Sequence, residues 1–223
     1  MFTRLFNTTK ENILISDLPR NDVLLEYTSE RCDEIKKSLN IPKDKKVILY
    51  APTYREFNRD KMNNCYIKPP IDFAKWQEKL GDNYVLLFRA HYEVVKVLGV
   101  ESNSFVYNVS DYPCLNDLMC ISDMVISDYS SIYFDYAILE RPMLNFSYDF
   151  EEYSRIRGLY FDIKSELGCN VNLSEDSLIE EIATLDIDKY CEYARLFKEK
   201  YAPNAGNACK TVINKIKELL VNN

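Results

Sequence analysis

The sequence predicts an α/β protein: a Rossmann-like parallel sheet with helices on both faces. Three observations carry that prediction. Short β-rich runs alternate with helical patterns from Ile13 to about Tyr148, and repeated βα units imply mainly parallel pairing. Val47-Ile48-Leu49-Tyr50 is continuously apolar, as strands buried on both faces are. Finally, 223 residues, 47% of them hydrophobic and 28% charged, suit one large globular lobe or two small ones that bury roughly 70% of the extended chain's surface.

In order along the chain, Ile13-Leu14-Ile15 reads as a strand, and Pro19-Arg20-Asn21-Asp22 as a turn whose Asn21 or Asp22 caps a helix through Leu24, Leu25, Cys32, Ile35 and Leu39. Val47–Tyr50 is the next strand. A polar loop of twenty residues follows from Ala51 to Pro70, a length that usually carries function. A helix over Ile71–Leu80 is stopped by Gly81. Then come strand Tyr84–Arg89, a short helix Glu93–Leu98 and strand Phe105–Val109. A helix from Asp111 or Pro113 through Ile121 precedes strand Met124–Ile126, helix Ser130–Leu139 and strand Met143–Phe146. From Ser174 to Val221 the pattern is helical, broken near Asp186–Asp188 and at Pro203.

Composition excludes several function classes. Only five glycines occur, each isolated, at Gly81, Gly99, Gly158, Gly168 and Gly206; neither a G-x-G-x-x-G turn nor a Walker loop can be written. His91 is the single histidine, so a zinc site with two histidines is impossible within the chain. A net charge of −7 and a pI near 5.0 argue against broad nucleic-acid binding, which needs a basic surface. Seven scattered cysteines, with no C-x-x-C, read as reduced thiols of a cytosolic protein. No apolar run reaches the ~18 residues of a membrane span, and no signal-peptide core is visible.

Ligands of open parallel sheets bind beyond the carboxyl ends of the strands, and the polar clusters of this sequence fall there. Val47–Tyr50 runs into Thr53 and Arg55, Tyr84–Arg89 into His91, and Met124–Ile126 into Ser127-Asp128-Tyr129-Ser130-Ser131. Guanidinium groups, hydroxyls and a helix start at Ser130-Ser131 form an inventory for handling phosphate. Singly, each has a plainer reading: Ser130-Ser131 as a helix cap, Arg55 on a solvated loop, His91 as a structural histidine. Arg89 is harder to dismiss, because an arginine ending an apolar strand needs an anionic partner. Their convergence on successive strand ends favours a site.

The segments ILISDLPRNDVLL, VILYAPTYRE, LLFRAHYEV, SDMVISDYSSIYFDYAILERPMLNFSYDFEEY and RIRGLYFD occur in the order seen in the CDP-glycerol glycerophosphotransferase family, the teichoic-acid polymerases and primases. The resemblance runs from about Asn12 to Lys210. It implies a two-lobed GT-B transferase whose C-terminal lobe binds the donor, and residues 1–223 correspond to that single donor-nucleotide-binding lobe, with C-terminal helices over about 174–221. The family's N-terminal lobe, with acceptor contacts and a further catalytic histidine, has no counterpart here. Tyr92 stands where the family usually has proline, and Ala205-Gly206 where Asp-Gly is common.

The resemblance implies transfer of glycerol phosphate from CDP-glycerol to a lipid-linked polyol phosphate or glycan acceptor, with no metal and no cofactor beyond the donor substrate. His91 is then expected to be catalytic, with Arg55, Arg89, Ser130 and Ser131 on the donor diphosphate; Thr53, Ser127, Asp128 and Arg157 are further donor-site candidates. A separate N-terminal lobe is an expected partner, nucleic acid is not, and the expected location is the cytoplasmic face of the cell membrane. Other readings are a GT-B transferase using CDP-ribitol or a nucleotide sugar, and a non-catalytic donor-binding piece.

Overall fold

A computed structural model describes residues 2–53, 55, 70–90, 100–159 and 161–221. Its centre is a six-stranded sheet: β1 (Lys46–Tyr50), β2 (Tyr84–Phe88), β3 (Val106–Asn108), β4 (Met124–Ser127), β5 (Met143–Phe146) and β6 (Val171–Asn172). The spatial order is β3-β2-β1-β4-β5-β6 and every pairing is parallel. The predicted fold class is the observed one, and all four strands proposed from Val47 to Ile126 lie in the sheet.

The described α-helices are α1 (Phe2–Leu5), α2 (Ser29–Ser38), α3 (Phe73–Leu80), α4 (Leu115–Ile121), α5 (Ile132–Tyr136), α6 (Phe150–Ile156), α7 (Ile163–Leu167), α8 (Glu175–Ala183), α9 (Ile187–Tyr201) and α10 (Ala208–Val221). Alternation along the strands divides the core in two. Val47, Leu49, Val85, Leu87 and Val125 face α4, α5 and α9. Ile48, Tyr50, Leu86, Phe88 and Ile126 face Trp76 of α3 and Leu178 and Ile182 of α8. Both faces are covered, which is why the strand sequences do not alternate with polar residues.

Helix starts follow local chemistry. Thr28, Asp72, Ser174 and Asp186 each accept a hydrogen bond from a backbone N–H in the first turn of α2, α3, α8 and α9, filling donors a helix leaves open. Asp22 departs from expectation. Its carboxylate accepts from Ala208 N (3.0 Å) and Cys209 N (2.7 Å), so it caps α10, across the chain.

Several other expectations are corrected. Ile13–Ile15 joins no strand, and Ile15 is 76% exposed. The long helix expected through Leu24 and Leu39 divides into a 3-10 turn, Pro19–Leu25, and α2. Instead of one helix over Ser130–Leu139, α5 has five residues and passes into a 3-10 turn, Ala137–Leu139. The sequence reading missed β6, α6 and α7. The helix expected at Glu93–Leu98 and most of the loop from Ala51 to Pro70 lie outside the described residues. Six of the seven cysteines fall within them, all with free thiols.

Gly168 closes α7 at φ +70°, and a Cβ there would stand 2.5–2.8 Å from ring carbons of Tyr193 on α9. Left-handed backbone and close approach together require glycine. Gly168→Ala is therefore expected to lower stability by at least ~1 kcal/mol, read as a lower urea midpoint with an unchanged slope.

Candidate functional site

In the strand order, β1 lies between β2 and β4, so the chain runs outward from β1 to β3 and restarts on the other side at β4. The carboxyl ends of β1 and β4 diverge at that reversal, where open α/β sheets form their ligand crevice. A cleft of about 760 Å³ opens there, lined among others by Thr53, Arg89, Ser110, Ser130 and Ser131. Its volume falls in the range of small-molecule sites. Ala51 N donates to Ile126 O and Arg89 N to Tyr50 O, both at 2.9 Å, so ladder bonds hold the ends of β1, β2 and β4 in register around the cleft.

The wall behind it is built on Arg55, whose side chain is fully buried. Nη2 meets Asp128 Oδ2 at 2.8 Å, Nε meets Asp149 Oδ2 at 2.6 Å, and Nη2 also donates to Asp149 Oδ1 at 2.9 Å. Nη1 donates to Thr53 O at 2.7 Å. The guanidinium carbon lies 4.9 Å from the ring centre of Tyr129 and 5.0 Å from that of Tyr153. Burial on its own would lower the Arg55 pKa, but the Asp149 hydrogen bonds and the Asp128 charge outweigh it and hold the pKa raised. Asp128 Oδ1 accepts from Thr53 N (2.9 Å) and Tyr129 N (2.7 Å). Ser127 Oγ donates to Ala51 O at 2.5 Å. Arg55, Ser127 and Asp128, expected to meet the donor, thus hold the turns that carry Thr53 and the serines and do not line the cleft.

Arg89 is different. It is half-buried and lines the cleft, with Nη1 donating to Val109 O (3.2 Å) and Tyr112 O (2.6 Å). Both acceptors are neutral, and no carboxylate among the described residues lies in ion-pair range. Burial lowers its pKa, the mark of a cation short of compensating charge. The Thr53 hydroxyl is buried in the same cleft with no hydrogen-bond partner among the described residues. Ser130 Oγ accepts from Ile132 N at 3.2 Å, and Ser131 makes no side-chain cap. Five residues of α5 give only a small helix dipole, so the positive charge here comes chiefly from arginine.

His91 lies outside the described residues; its predecessor Ala90 lines the cleft and donates its N–H to Ser110 Oγ at 3.1 Å. Arg157 is exposed beyond the end of α6 and does not line the cleft. Sequence reasoning missed Arg20, Ser110, Asn116 and Asp135, which do. Asp135 is buried and accepts from Arg20 Nη2 (2.9 Å) and Asn21 Nδ2 (2.5 Å), while Asn116 Nδ2 donates to Arg20 O (2.9 Å). The available signal was an aspartate inside the otherwise apolar and aromatic Ile132–Tyr136 run.

A second cleft, of about 690 Å³, lies between β6, α8 and α9. Its buried carboxylate, Glu181, already accepts from Asn170 N, Asn172 Nδ2 and Tyr190 Oη.

Residues 1–218 match the family described as CDP-glycerol:poly(glycerophosphate) glycerophosphotransferase. The chain belongs to that family. It is 36% identical over 206 residues to the teichoic acid glycerol-phosphate transferase of Staphylococcus aureus (strain NCTC 8325 / PS 47), covering 90% of this chain and 53% of the relative. The solved wall teichoic acid polymerase TagF superposes with a TM-score of 0.85 at 35% identity, over 98% of this chain and 56% of that one. A histidine variant of TagF soaked with CDPG gives a TM-score of 0.84, again at 35% identity and with the same shares of the two chains. This member of the glycerophosphotransferase family spans about half the length of these relatives.

The two arginines predict opposite phenotypes. Arg55→Ala leaves two buried carboxylates without their cation and is expected to cost about 3–5 kcal/mol of stability. Arg89→Ala relieves an uncompensated charge and is expected to leave the thermal midpoint within a few degrees of the parent. Thermal unfolding of both variants in parallel checks the contrast.

Proposed function

We propose that this chain is the donor-binding lobe of a transferase that moves glycerol phosphate from CDP-glycerol to a hydroxyl of a lipid-linked acceptor in teichoic acid or related envelope synthesis. The observation that carries the reading is Arg89: a half-buried cation facing neutral acceptors, in the same switch-point cleft as a Thr53 hydroxyl with no hydrogen-bond partner among the described residues, in a chain of this family. A diphosphate supplies what Arg89 and Thr53 lack there, negative charge and acceptor oxygens.

In the proposed reaction an acceptor hydroxyl attacks the phosphorus bonded to glycerol. A new P–O bond forms as the hydroxyl gives up its proton, the bond to the bridging oxygen breaks, and CMP leaves with its electron pair and takes up one proton. Arg89 offsets the charge that grows on the diphosphate oxygens. Thr53, Ser110, Ser130 and Ser131 fix the donor's orientation. His91, next along the chain from the cleft wall, is assigned a proton donated to a phosphate oxygen or to the departing CMP. Arg55 and Asp128 act through the turns they hold, as positioning residues.

Acceptor contacts are assigned to the half of the family's length that this chain does not span. No helix among the described residues is long and apolar enough to cross a membrane. We place the work at the cytoplasmic membrane surface, where a lipid-linked acceptor and a nucleotide donor meet, with attachment through the acceptor or the other half.

Calorimetry with CDP-glycerol, CDP-ribitol, UDP and ADP ligands tests the donor. CDP-glycerol is expected to bind best, and equal affinity across the panel would remove the cytidine assignment. Arg89→Ala is expected to weaken CDP-glycerol binding roughly ten- to a hundredfold, the loss of one charged hydrogen bond, and Ser130→Ala to weaken it less.

Turnover by this lobe joined to a family N-terminal half tests His91. His91→Ala is expected to lower kcat more than donor affinity. Near-normal specific activity with a lowered melting temperature would make the histidine structural.

A further inference from the structure

The turn after β3 organises one wall of the cleft. Arg89 Nη1 donates to Tyr112 O at 2.6 Å and to Val109 O at 3.2 Å, so Tyr112 supplies the nearer of these two acceptors. Tyr112 N closes the turn by donating to Val109 O at 3.1 Å, and Ser110 Oγ accepts from Ala90 N at 3.1 Å. The guanidinium and the backbone leading to His91 are thus held by the same short turn, residues 109–112.

Tyr112 is itself tied down. Its hydroxyl donates to Asp117 Oδ2 at 2.8 Å, and the Tyr27 hydroxyl donates to Asp117 Oδ1. Asp117 is 7% exposed, in the first turn of α4, and the buried residues Leu118 to Ile121 follow it. Arg31 Nη2 stands 3.9 Å away, at the limit of ion pairing, on a side chain that is 55% exposed. A carboxylate in such a place is costly, and what it gains is two charge-assisted hydrogen bonds, stronger than neutral ones. Burial works against its charge, yet the two hydroxyls outweigh it and hold the pKa lowered. With Tyr27 on the other oxygen, the carboxylate is held in place against Tyr112. Pro113 comes next, and a residue before proline is restricted to extended backbone, so the Tyr112 carbonyl keeps one direction once its ring is fixed.

We propose that Asp117 is a positioning residue for the donor phosphates: through the Tyr112 hydroxyl it fixes the carbonyl that orients Arg89 in the cleft. The proposal rests on the donor reading given to Arg89 above. A guanidinium oriented beforehand loses little side-chain freedom when the donor binds, and that freedom is worth roughly two- to tenfold in affinity.

Two variants test the bridge. Tyr112→Phe removes the hydroxyl and keeps the carbonyl, while Asp117→Asn removes the charge and keeps the shape. In calorimetry each is expected to weaken CDP-glycerol binding to this chain roughly two- to tenfold, and to leave affinity unchanged in an Arg89→Ala background. A clasp that only stabilises the fold lowers the melting temperature and either leaves donor affinity alone or weakens it equally with and without Arg89. Either affinity result overturns the inference.

Arg89 is also read without donor. Heteronuclear NMR of the free chain, with the Arg89 signals identified by their loss in Arg89→Ala, is expected to show severalfold faster exchange of the guanidinium N–H groups in both variants than in the parent. Unchanged exchange overturns the inference whether or not CDP-glycerol binds. Should Asp117→Asn fold poorly, Tyr112→Phe alone decides. Failure of the parent chain to bind CDP-glycerol removes the donor reading, and the exchange comparison still decides whether Asp117 positions Arg89.

Discussion

One buried cation organises the site. Arg55 joins the end of β1 to the turns after β4 and β5 by bonding two carboxylates, Asp128 and Asp149, in a cage of tyrosines. Taking three charged groups out of water is costly, and such a cluster persists only when its hydrogen bonds are nearly complete. Here most are made: the guanidinium also reaches Thr53 O, Asp128 Oδ1 accepts two backbone N–H groups, and Asp149 accepts from Tyr129 Oη, while Asp128 Oδ2 has its ion pair with Arg55 and no hydrogen bond among the described residues. The gain is geometric. Backbone that would otherwise be loop is tied in place, and Thr53 and the two serines ride on it.

This division of labour reconciles an acidic protein with the anionic donor proposed for it. A net charge of −7 opposes anions at long range, but within a Debye length of about 8 Å local charge decides. Arg55 contributes nothing positive to the cleft, since Asp128 and Asp149 more than cancel it. Arg89, with two carbonyls and no carboxylate among the described residues, keeps its charge for a ligand. Arg20 lies between these cases. It pairs with Asp135, yet its side chain is 61% exposed and the carboxylate is shared with Asn21.

Much of the fold was legible because buried parallel strands are written as apolar runs, as in Val47–Tyr50 and Met124–Ile126. The failures share one cause: a local pattern answered by a distant partner. Ile13–Ile15 has the composition of a strand but no neighbouring strand to pair with. Asp22 has the look of a local helix cap, but its acceptors found the N–H groups of residues 186 and 187 positions away. β6 has two residues, one of them Asn172, too short and polar to register as a strand. The site followed the same rule. Thr53, Arg89, Ser130 and Ser131 were legible as polar residues at strand ends, and all four line the cleft. The fate of Arg55 depended on Asp149, 94 residues away, and no spacing announces that a carboxylate will claim a guanidinium.

The turn Pro19–Leu25 ties these themes together. Seven residues long and in 3-10 geometry, it has little internal stability of its own, so its position is set by what it bonds. Asn21 is buried against Asp135 on α5, Arg20 reaches the same carboxylate, and Asp22 grips the first turn of α10. One short segment therefore fixes the start of the chain, a helix at the cleft and the last helix relative to one another. A displacement of α10 cannot leave Arg20 and Asp135 where they are without breaking charged hydrogen bonds on one side of the turn or the other. Whatever rests on the apolar face of α10 is thereby linked through these seven residues to Arg20 and Asp135 in the cleft.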